Sequence, residues 1–358
     1  MIKIRVILLV VLPFFFAECS FILNREIKET STSPFHLILN STGFATEFCI
    51  FEIESENLEC KAKKVKSYSK CTEYFSENTN TAALSSKETL DQIYKGLAEL
   101  ELFRPSLKKK ITKVGYITTG SLNQGKDTSV LRDVENYFRS ENLKIQAKPV
   151  LSEEEAKLTM KAIQSSEEIP KSEKEIVLLQ IGSESVDITF SSLKQLSSKI
   201  GIQLILEEVA NMKPGINTCR QPISSFFKSE SSSFDRCKSF ILENLKKSQR
   251  LSLLTKTKLD DGYKVFTTGS TWNYYYPNKE EVSVDELNQT GNEFCSLTID
   301  EIMKKGIKKR HAYNLCYSLS YKAVLAEALG IQRLQILQKD VLAKNLAGSS
   351  ILFPDTCR

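Results

Sequence analysis

Two stretches of the chain repeat one local plan, and that repeat constrains the fold more than any single motif does. From Phe35 to Ile53 apolar and polar residues alternate as two strands around Asn40-Ser41-Thr42-Gly43, a run that favours a tight reversal. A second pair of strands, Ile176 to Phe190, turns at Gly182-Ser183-Glu184. The first hairpin leads into a helix at Lys87 to Phe103, with Leu90, Ile93, Leu97 and Leu100 on one face. Strand Lys113 to Thr118, helix Thr128 to Ser140, strand Lys144 to Val150 and helix Ser152 to Gln164 follow, the last opened by a Ser152/Glu155 capping pattern. After the second hairpin come strand Ile202 to Leu206, a loop bounded by Cys219 and Cys237 with a Ser-rich insert at Ser229 to Ser233, and helix Phe234 to Lys247. Strand Tyr263 to Thr267, helix Asn292 to Lys305, a long amphipathic helix Arg310 to Leu329, strand Arg333 to Leu337 and a closing helix complete the chain. Strands alternating with helices predict α/β layers, and the restart at the second hairpin predicts a duplicated, two-lobed plan.

Composition agrees with folded lobes of this size. At about 150 residues per domain, a chain of 358 residues has room for two, and 41% apolar residues supply their cores. Charged residues make up 26% and carry both signs, with ordinary hydrophobicity and no long low-complexity tract, which excludes disorder. With 49 Lys+Arg against 44 Asp+Glu the net charge is only +5, and no Arg/aromatic stripe is present, so nucleic acid is not an expected partner.

The N-terminus reads as an address. Lys3 and Arg5 precede an apolar run from Val6 to Ala17, which is followed by Glu18-Cys19-Ser20. A basic start and an apolar dozen have the length of a signal peptide and are too short to span a bilayer as a lone helix. Export is expected. A Cys directly after such a run resembles the acylated Cys of a bacterial lipoprotein, which makes Cys19 the candidate lipidation site. Glu18 departs from the small residue usual before that Cys, so cleavage near Ala17 and retention as a short anchor stay open.

Without Cys19 eight cysteines remain, an even number that permits disulfides in an exported chain, although about 105 pairings are possible. Cys60/Cys71 and Cys219/Cys237 each close a short polar loop and are the preferred pairs. Cys316 lies in an apolar helical pattern and reads equally as a buried thiol. No C-x-x-C spacing occurs and the only histidines are His36 and His311, so no metal site is expected from cysteine or histidine. His36 sits on a strand and His311 at a helix start, neither beside a nucleophile. Trp272 with Tyr274, Tyr275 and Tyr276 forms an aromatic cluster read first as packing and second as a surface for a base, a sugar or a membrane. Sequons at Asn40 and Asn288 matter only in a eukaryotic secretory pathway.

The order of these parts, with several local runs, resembles the exopolyphosphatase/guanosine pentaphosphate phosphohydrolase (Ppx/GppA) family over nearly all of the mature chain. The run Val150-Leu151-Ser152-Glu153-Glu154-Glu155-Ala156-Lys157-Leu158 is similar to a family run like "ISGEEEARL". Arg310-His311-Ala312, leading through Ala323 to Leu329-Gly330-Ile331, is similar to its "RAD…LEALGI" helix, with Lys339 to Leu346 in the place of its terminal helix. The resemblance implies an α/β, two-lobed actin-like ATPase (ribonuclease H-like) fold with a cleft between lobes. It also implies phosphate loops, and there the chain departs. The family's "DIGSNS" loop is here Asn40-Ser41-Thr42-Gly43-Phe44-Ala45, and its "DIGGGSTE" loop is Gln180-Ile181-Gly182-Ser183-Glu184-Ser185-Val186-Asp187. Both leading carboxylates have become amides, while the glycines and backbone amides that cradle phosphate partly remain. A one-residue shift of the second alignment would bring Asp187 or Glu184 into the metal role. The "ATSALREAxN" run appears as Thr118 to Asp127, with Asn123 in place of the oxyanion-binding Arg and Lys126 a partial substitute. Gly269-Ser270-Thr271 keeps part of the late glycine turn.

Within that resemblance Glu154 and Glu155 occupy the run whose Glu orients the attacking water as general base. Read without it, Glu153 to Glu155 are an acidic first helical turn favoured by the dipole. The candidate site is therefore Glu154 and Glu155 with loop positions Asn40, Ser41, Thr42, Gly43, Asn123, Gln180, Gly182, Ser183, Ser185, Gly269 and Ser270. The expected organisation is a signal at 1–19, a linker at 20–34, an N-terminal lobe at 35–155 and a C-terminal lobe at 156–358. The expected function is that of an exported, membrane-anchored family member impaired in catalysis, binding a phosphate-containing ligand or a protein in its cleft, with homodimerisation open. One alternative is an active exopolyphosphatase using Mg²⁺ or Mn²⁺ on polyphosphate; the other is a tethered structural or interaction lipoprotein.

Overall fold

A computed structural model describes residues 35–41, 45–53, 65–75, 86–103, 110–118, 129–165, 174–182, 185–211, 219–222, 233–247, 256–260, 262–268, 279–307 and 309–337, with 252, 272, 275 and 276. The chain separates after Ser33, and every described residue lies on Pro34–Arg358. The signal segment, Cys19 and the 339–346 helix thus lie outside the described residues.

The first sheet contains β1 (Phe35–Ser41), β2 (Ala45–Ile53), β3 (Val65–Phe75), β4 (Ile111–Thr118) and β5 (Lys144–Pro149), in the order β3-β2-β1-β4-β5. The first three strands form an antiparallel meander, and β4 and β5 run parallel to β1. Parallel neighbours need crossovers, supplied by α1 (Ser86–Phe103) and α2 (Ser129–Ser140). Leu37, Leu39, Val114 and Tyr116 of the strands, Ile93 of α1, and Val134 and Phe138 of α2 are wholly buried.

The second sheet contains β6 (Glu175–Ile181), β7 (Val186–Phe190), β8 (Gln195–Ser198), β9 (Tyr263–Thr268), β10 (Glu281–Ser283) and β11 (Arg333–Ile336), in the order β10-β11-β9-β6-β7-β8. Counted from β6, this is the strand order of the first sheet with β10 added at one edge. The duplicated plan read from the two hairpins is present in the topology.

One face of the second sheet carries α4 (Ile202–Asn211), α5 (Phe234–Lys247), α6 (Val284–Cys295) and α9 (Leu315–Leu329), which join Val177, Leu179, Ile188 and Val265 in one core. Helix α9 is buried from Leu315 to Ala326 without a break and stops where Gly330 adopts φ 75°. Helices α5 and α6 approach so closely that a Cβ at Gly291 would lie 2.1 Å from the Phe234 ring. The opposite face carries α3 (Ser152–Ser165), whose Ala156, Met160 and Ile163 pack on Leu178, Phe266 and Leu337. Two short helices, α7 (Ile299–Lys304) and α8 (Lys309–Tyr313), connect α6 to α9.

Several sequence expectations are corrected. Ile202 to Leu206, expected as a strand, opens α4: the Ile/Leu run suits a strand only over five residues, whereas the helix continues through Glu207 and Glu208 to Asn211. The helix expected at Asn292 to Lys305 is two, because Thr298 and Glu301 form a capping box that starts α7. Arg310 to Leu329 breaks at Asn314, and α9 has no polar face, so it is not amphipathic. Strands β3, β8 and β10 have no counterpart among the elements expected from the sequence. Cys316 is no free thiol; it bonds Cys295 with Cα atoms 4.7 Å apart. Cys219–Cys237 pairs as expected, with Cα atoms 5.0 Å apart. Cys60 lies outside the described residues, and the register partner of Cys71 is Cys49. Trp272, Tyr275 and Tyr276 are buried, which makes them packing residues.

Candidate functional site

The strand ends collect the expected positions into two rows. In the first sheet Ser41 is register partner to Thr46 on β2 and Thr118 on β4, and Thr118 to Pro149 on β5. In the second sheet Gln180 is partner to Asp187 on β7 and Thr268 on β9, and Asp187 to Ser197 on β8. The loops that follow β1, β4, β6 and β9 therefore leave from matching ends of two like-ordered sheets, where such folds place ligands. Asn40, the other amide, is partner to Glu47. Each hairpin thus sets an amide opposite a carboxylate seven residues on. That spacing is visible in the sequence, and the sequence reading passed over Glu47.

The second row is built of buried polar groups. Gln180 is 9% exposed and Asp187 1%, on the face beneath α3. Ser185 Oγ donates to Asp187 Oδ2 at 2.8 Å, while Asp187 Oδ1 and Gln180 Oε1 have no hydrogen-bond partner. Burial pushes the Asp187 carboxyl above the usual carboxylate range, the neighbouring hydroxyls of Ser197 and Ser185 oppose the shift, and the charge of Glu153 adds to it. The turn itself is closed by Gly182 N–H to Ser185 O at 2.9 Å, and Gly182 O accepts from Ile202 N–H at 2.9 Å. In the first row Ser41 Oγ and Thr46 Oγ1 satisfy each other at 2.9 Å.

The Glu run heads α3, directly after β5. Glu154 Oε1 is paired with Lys148 Nζ of β5 at 2.5 Å, with both side chains partly exposed. Gln195 Nε2 of β8 donates to Glu153 O at 3.2 Å, fastening the first turn of α3 to the second sheet. The Glu run and Asp187 are thereby brought to one region, as the charge of Glu153 acting on Asp187 also records. The side chain of Asn40, and Thr42, Gly43, Asn123, Ser183, Gly269 and Ser270, lie outside the described residues.

The two leading positions lack the carboxylates that the resemblance assigns to a divalent metal. The amides Asn40 and Gln180 stand at the leading positions, and burial raises the pKa of the carboxyl beside Gln180. Among the described residues no group of three or more His, Cys, Asp or Glu is placed to hold a metal ion, and no helix is long and apolar enough to cross a membrane.

Two sheets of one strand order, each opened by an antiparallel hairpin and continued by parallel strands, define an actin-like ATPase (ribonuclease H-like) fold, α/β and two-lobed. Among solved structures the chain is similar to the Ppx/GppA family member of Aquifex aeolicus, with a TM-score of 0.58 at 15% identity over 90% of this chain and 99% of that one. It is similar as well to an exopolyphosphatase from Cytophaga hutchinsonii, with a TM-score of 0.59 at 11% identity over 89% and 97%. No family model matches the sequence, and no curated protein does.

Proposed function

We propose that the chain is an exported Ppx/GppA-like protein impaired in phosphoanhydride hydrolysis, which uses its strand-end loops to bind a phosphate-containing ligand. One observation carries this reading: at the end of β6 the fold presents a neutral Gln180 beside a buried Asp187 whose pKa burial raises. Hydrolysis of a phosphoanhydride draws on a base, a spread of positive charge over the phosphoryl oxygens and oriented donors. Glu154 and Glu155 remain as candidate bases, with Glu154 held by Lys148. The leading carboxylates and the oxyanion Arg are replaced by Asn40, Gln180 and Asn123. Each such loss costs on the order of 10²-fold in rate. The Gly182–Ser185 turn is closed by its own backbone bond, and with the charge-spreading groups replaced it suits recognition without turnover.

The test is phosphate release from long-chain polyphosphate, with Mg²⁺ or Mn²⁺, beside a Glu154→Gln/Glu155→Gln double variant and a salt-dependent polyphosphate binding assay. The expected result is binding with release no faster than in the double variant. Release that disappears in the double variant identifies an active exopolyphosphatase instead. Neither release nor binding leaves a tethered interaction lipoprotein, and acyl labelling that is lost in Cys19→Ser tests the anchor.

A further inference from the structure

We propose that the Cys295–Cys316 disulfide is a covalent latch on the Gly182–Ser185 turn, so that the candidate site is completed only where the chain folds under oxidising conditions. The proposal rests on reading that turn as part of the site. Cys295 is the last residue of α6 and Cys316 the second of α9, and both are buried, at 1% and 0% exposure. Their Cα separation of 4.7 Å lies in the disulfide range.

The residue after the bridge leads straight to the turn. Tyr317 reaches back 115 positions to donate its hydroxyl to Ile202 O at 2.8 Å, and Tyr321, one helical turn on, donates to Ile200 O. Ile202 N–H holds Gly182 O, and Gly182 N–H closes on Ser185 O. Three links, Tyr317, Ile202 and Gly182, therefore join the sulfur bridge to the turn. The second bridge, Cys219–Cys237, ties the 219–222 stretch to α5; that stretch meets the neighbours of the first bridge, Gln221 donating to Phe294 O and Tyr313 O, while the 200–202 corner is held by Tyr317 and Tyr321. It serves as the comparison, a bridge further from the turn along the same network.

Closing the latch removes two protons and two electrons from the two thiols. A disulfide-bearing oxidant accepts the electrons through a mixed disulfide and leaves as a dithiol. With both sulfurs out of reach of solvent, exchange runs only through an opened state, so the bond is set during folding and is not toggled afterwards. In a reducing compartment the same positions would stay thiols and the first turn of α9 would lack its tie to α6.

The test is hydrogen exchange on the full chain recovered from an oxidising compartment, read at the amides of Gly182 and Ile202. A Cys295→Ala/Cys316→Ala variant is compared with Cys219→Ala/Cys237→Ala, each corrected for its global stability. The expected loss of protection at those two amides is about tenfold in the first variant and less than about threefold in the second. Tyr317→Phe, which keeps both bridges, is expected to lose protection at Ile202 as well, and it decides the matter if the first cysteine variant does not fold. Unchanged protection, equal loss in the two cysteine variants, or native protein whose Cys295 and Cys316 are alkylated as free thiols overturns the latch. A chain that binds no phosphate ligand yet shows the expected exchange pattern would sink the functional reading and leave the latch standing.

Discussion

The two hairpins occupy equivalent places in sheets of the same strand order, yet they treat buried polarity differently. At the end of β1 and β2 two hydroxyls, Ser41 and Thr46, face each other, and either can donate. At the end of β6 and β7 an amide oxygen and a carboxylate oxygen are left as acceptors without a donor. A buried acceptor left so costs about 1–3 kcal/mol. Among the described residues, the hydroxyl pair of the first hairpin is satisfied, while the amide–carboxylate pair of the second keeps buried acceptors with an unmet demand. Of the two described pairs, Gln180 with Asp187 is the one to which a proton or a hydrogen-bond donor has the most to offer.

The comparison is open to tests of decreasing size. The second lobe also buries Lys322, whose Nζ lies 4.2 Å from the Trp272 ring centroid and 4.7 Å from that of Tyr275, and burial pulls its pKa down to about 7. Because the folded state binds fewer protons than the unfolded one between that value and the ordinary lysine value, this group makes stability rise with pH over that window. Lys322→Met is expected to stabilise the protein by about 1–4 kcal/mol below neutral pH and to flatten the rise, as read from denaturant midpoints across pH. An unchanged alkaline slope would break the contrast between lobes.

Asp187 carries the opposite sign. Its raised pKa means that the folded state holds the proton longer, so its contribution to stability is best at low pH and is lost as pH rises from the unfolded value through the folded one. Asp187→Asn supplies a neutral donor to the row and is expected to raise stability by about 1–3 kcal/mol at pH 8, with little change at pH 4. A loss at both pH values would show the carboxylate to be satisfied by groups not recognised in the row. In the first hairpin Ser41→Ala breaks the hydroxyl pair and is expected to cost about 0.5–1.5 kcal/mol independently of pH. The smallest effect falls on the exposed Lys148–Glu154 pair, where Lys148→Ala is expected to change stability by less than about 1 kcal/mol, measured by calorimetry.

Much of the fold was legible because its signals are local. Hairpin turns, capping residues and the strand–helix alternation placed β1, β2, α1, α2, α3 and α5 close to where they lie. Misreadings came where tertiary context overrides local pattern. The Ile/Leu start of α4 has the residue types of a strand, and only its continuation through Glu207 and Glu208 to Asn211 makes it a helix. Helix α9 is covered on every side, so periodicity says nothing about it. The Glu run and the second hairpin were found from their order along the chain, but their proximity was not, since it depends on α3 packing across β6 and β7. Nor did sequence announce the Cys295–Cys316 bond, because its partners belong to helices whose packing brings them together.

Ser185 has one proton to give, and its hydroxyl now points inward to Asp187 Oδ2. While Asp187 is ionised that donor is withheld from anything arriving at the turn. Once Asp187 takes up a proton, the carboxyl itself becomes a donor to Ser185 Oγ, and the serine hydrogen is released to face outward. The inventory of donors at the turn then grows by one, so that a single rotating hydroxyl ties what the turn can offer to the one proton of Asp187.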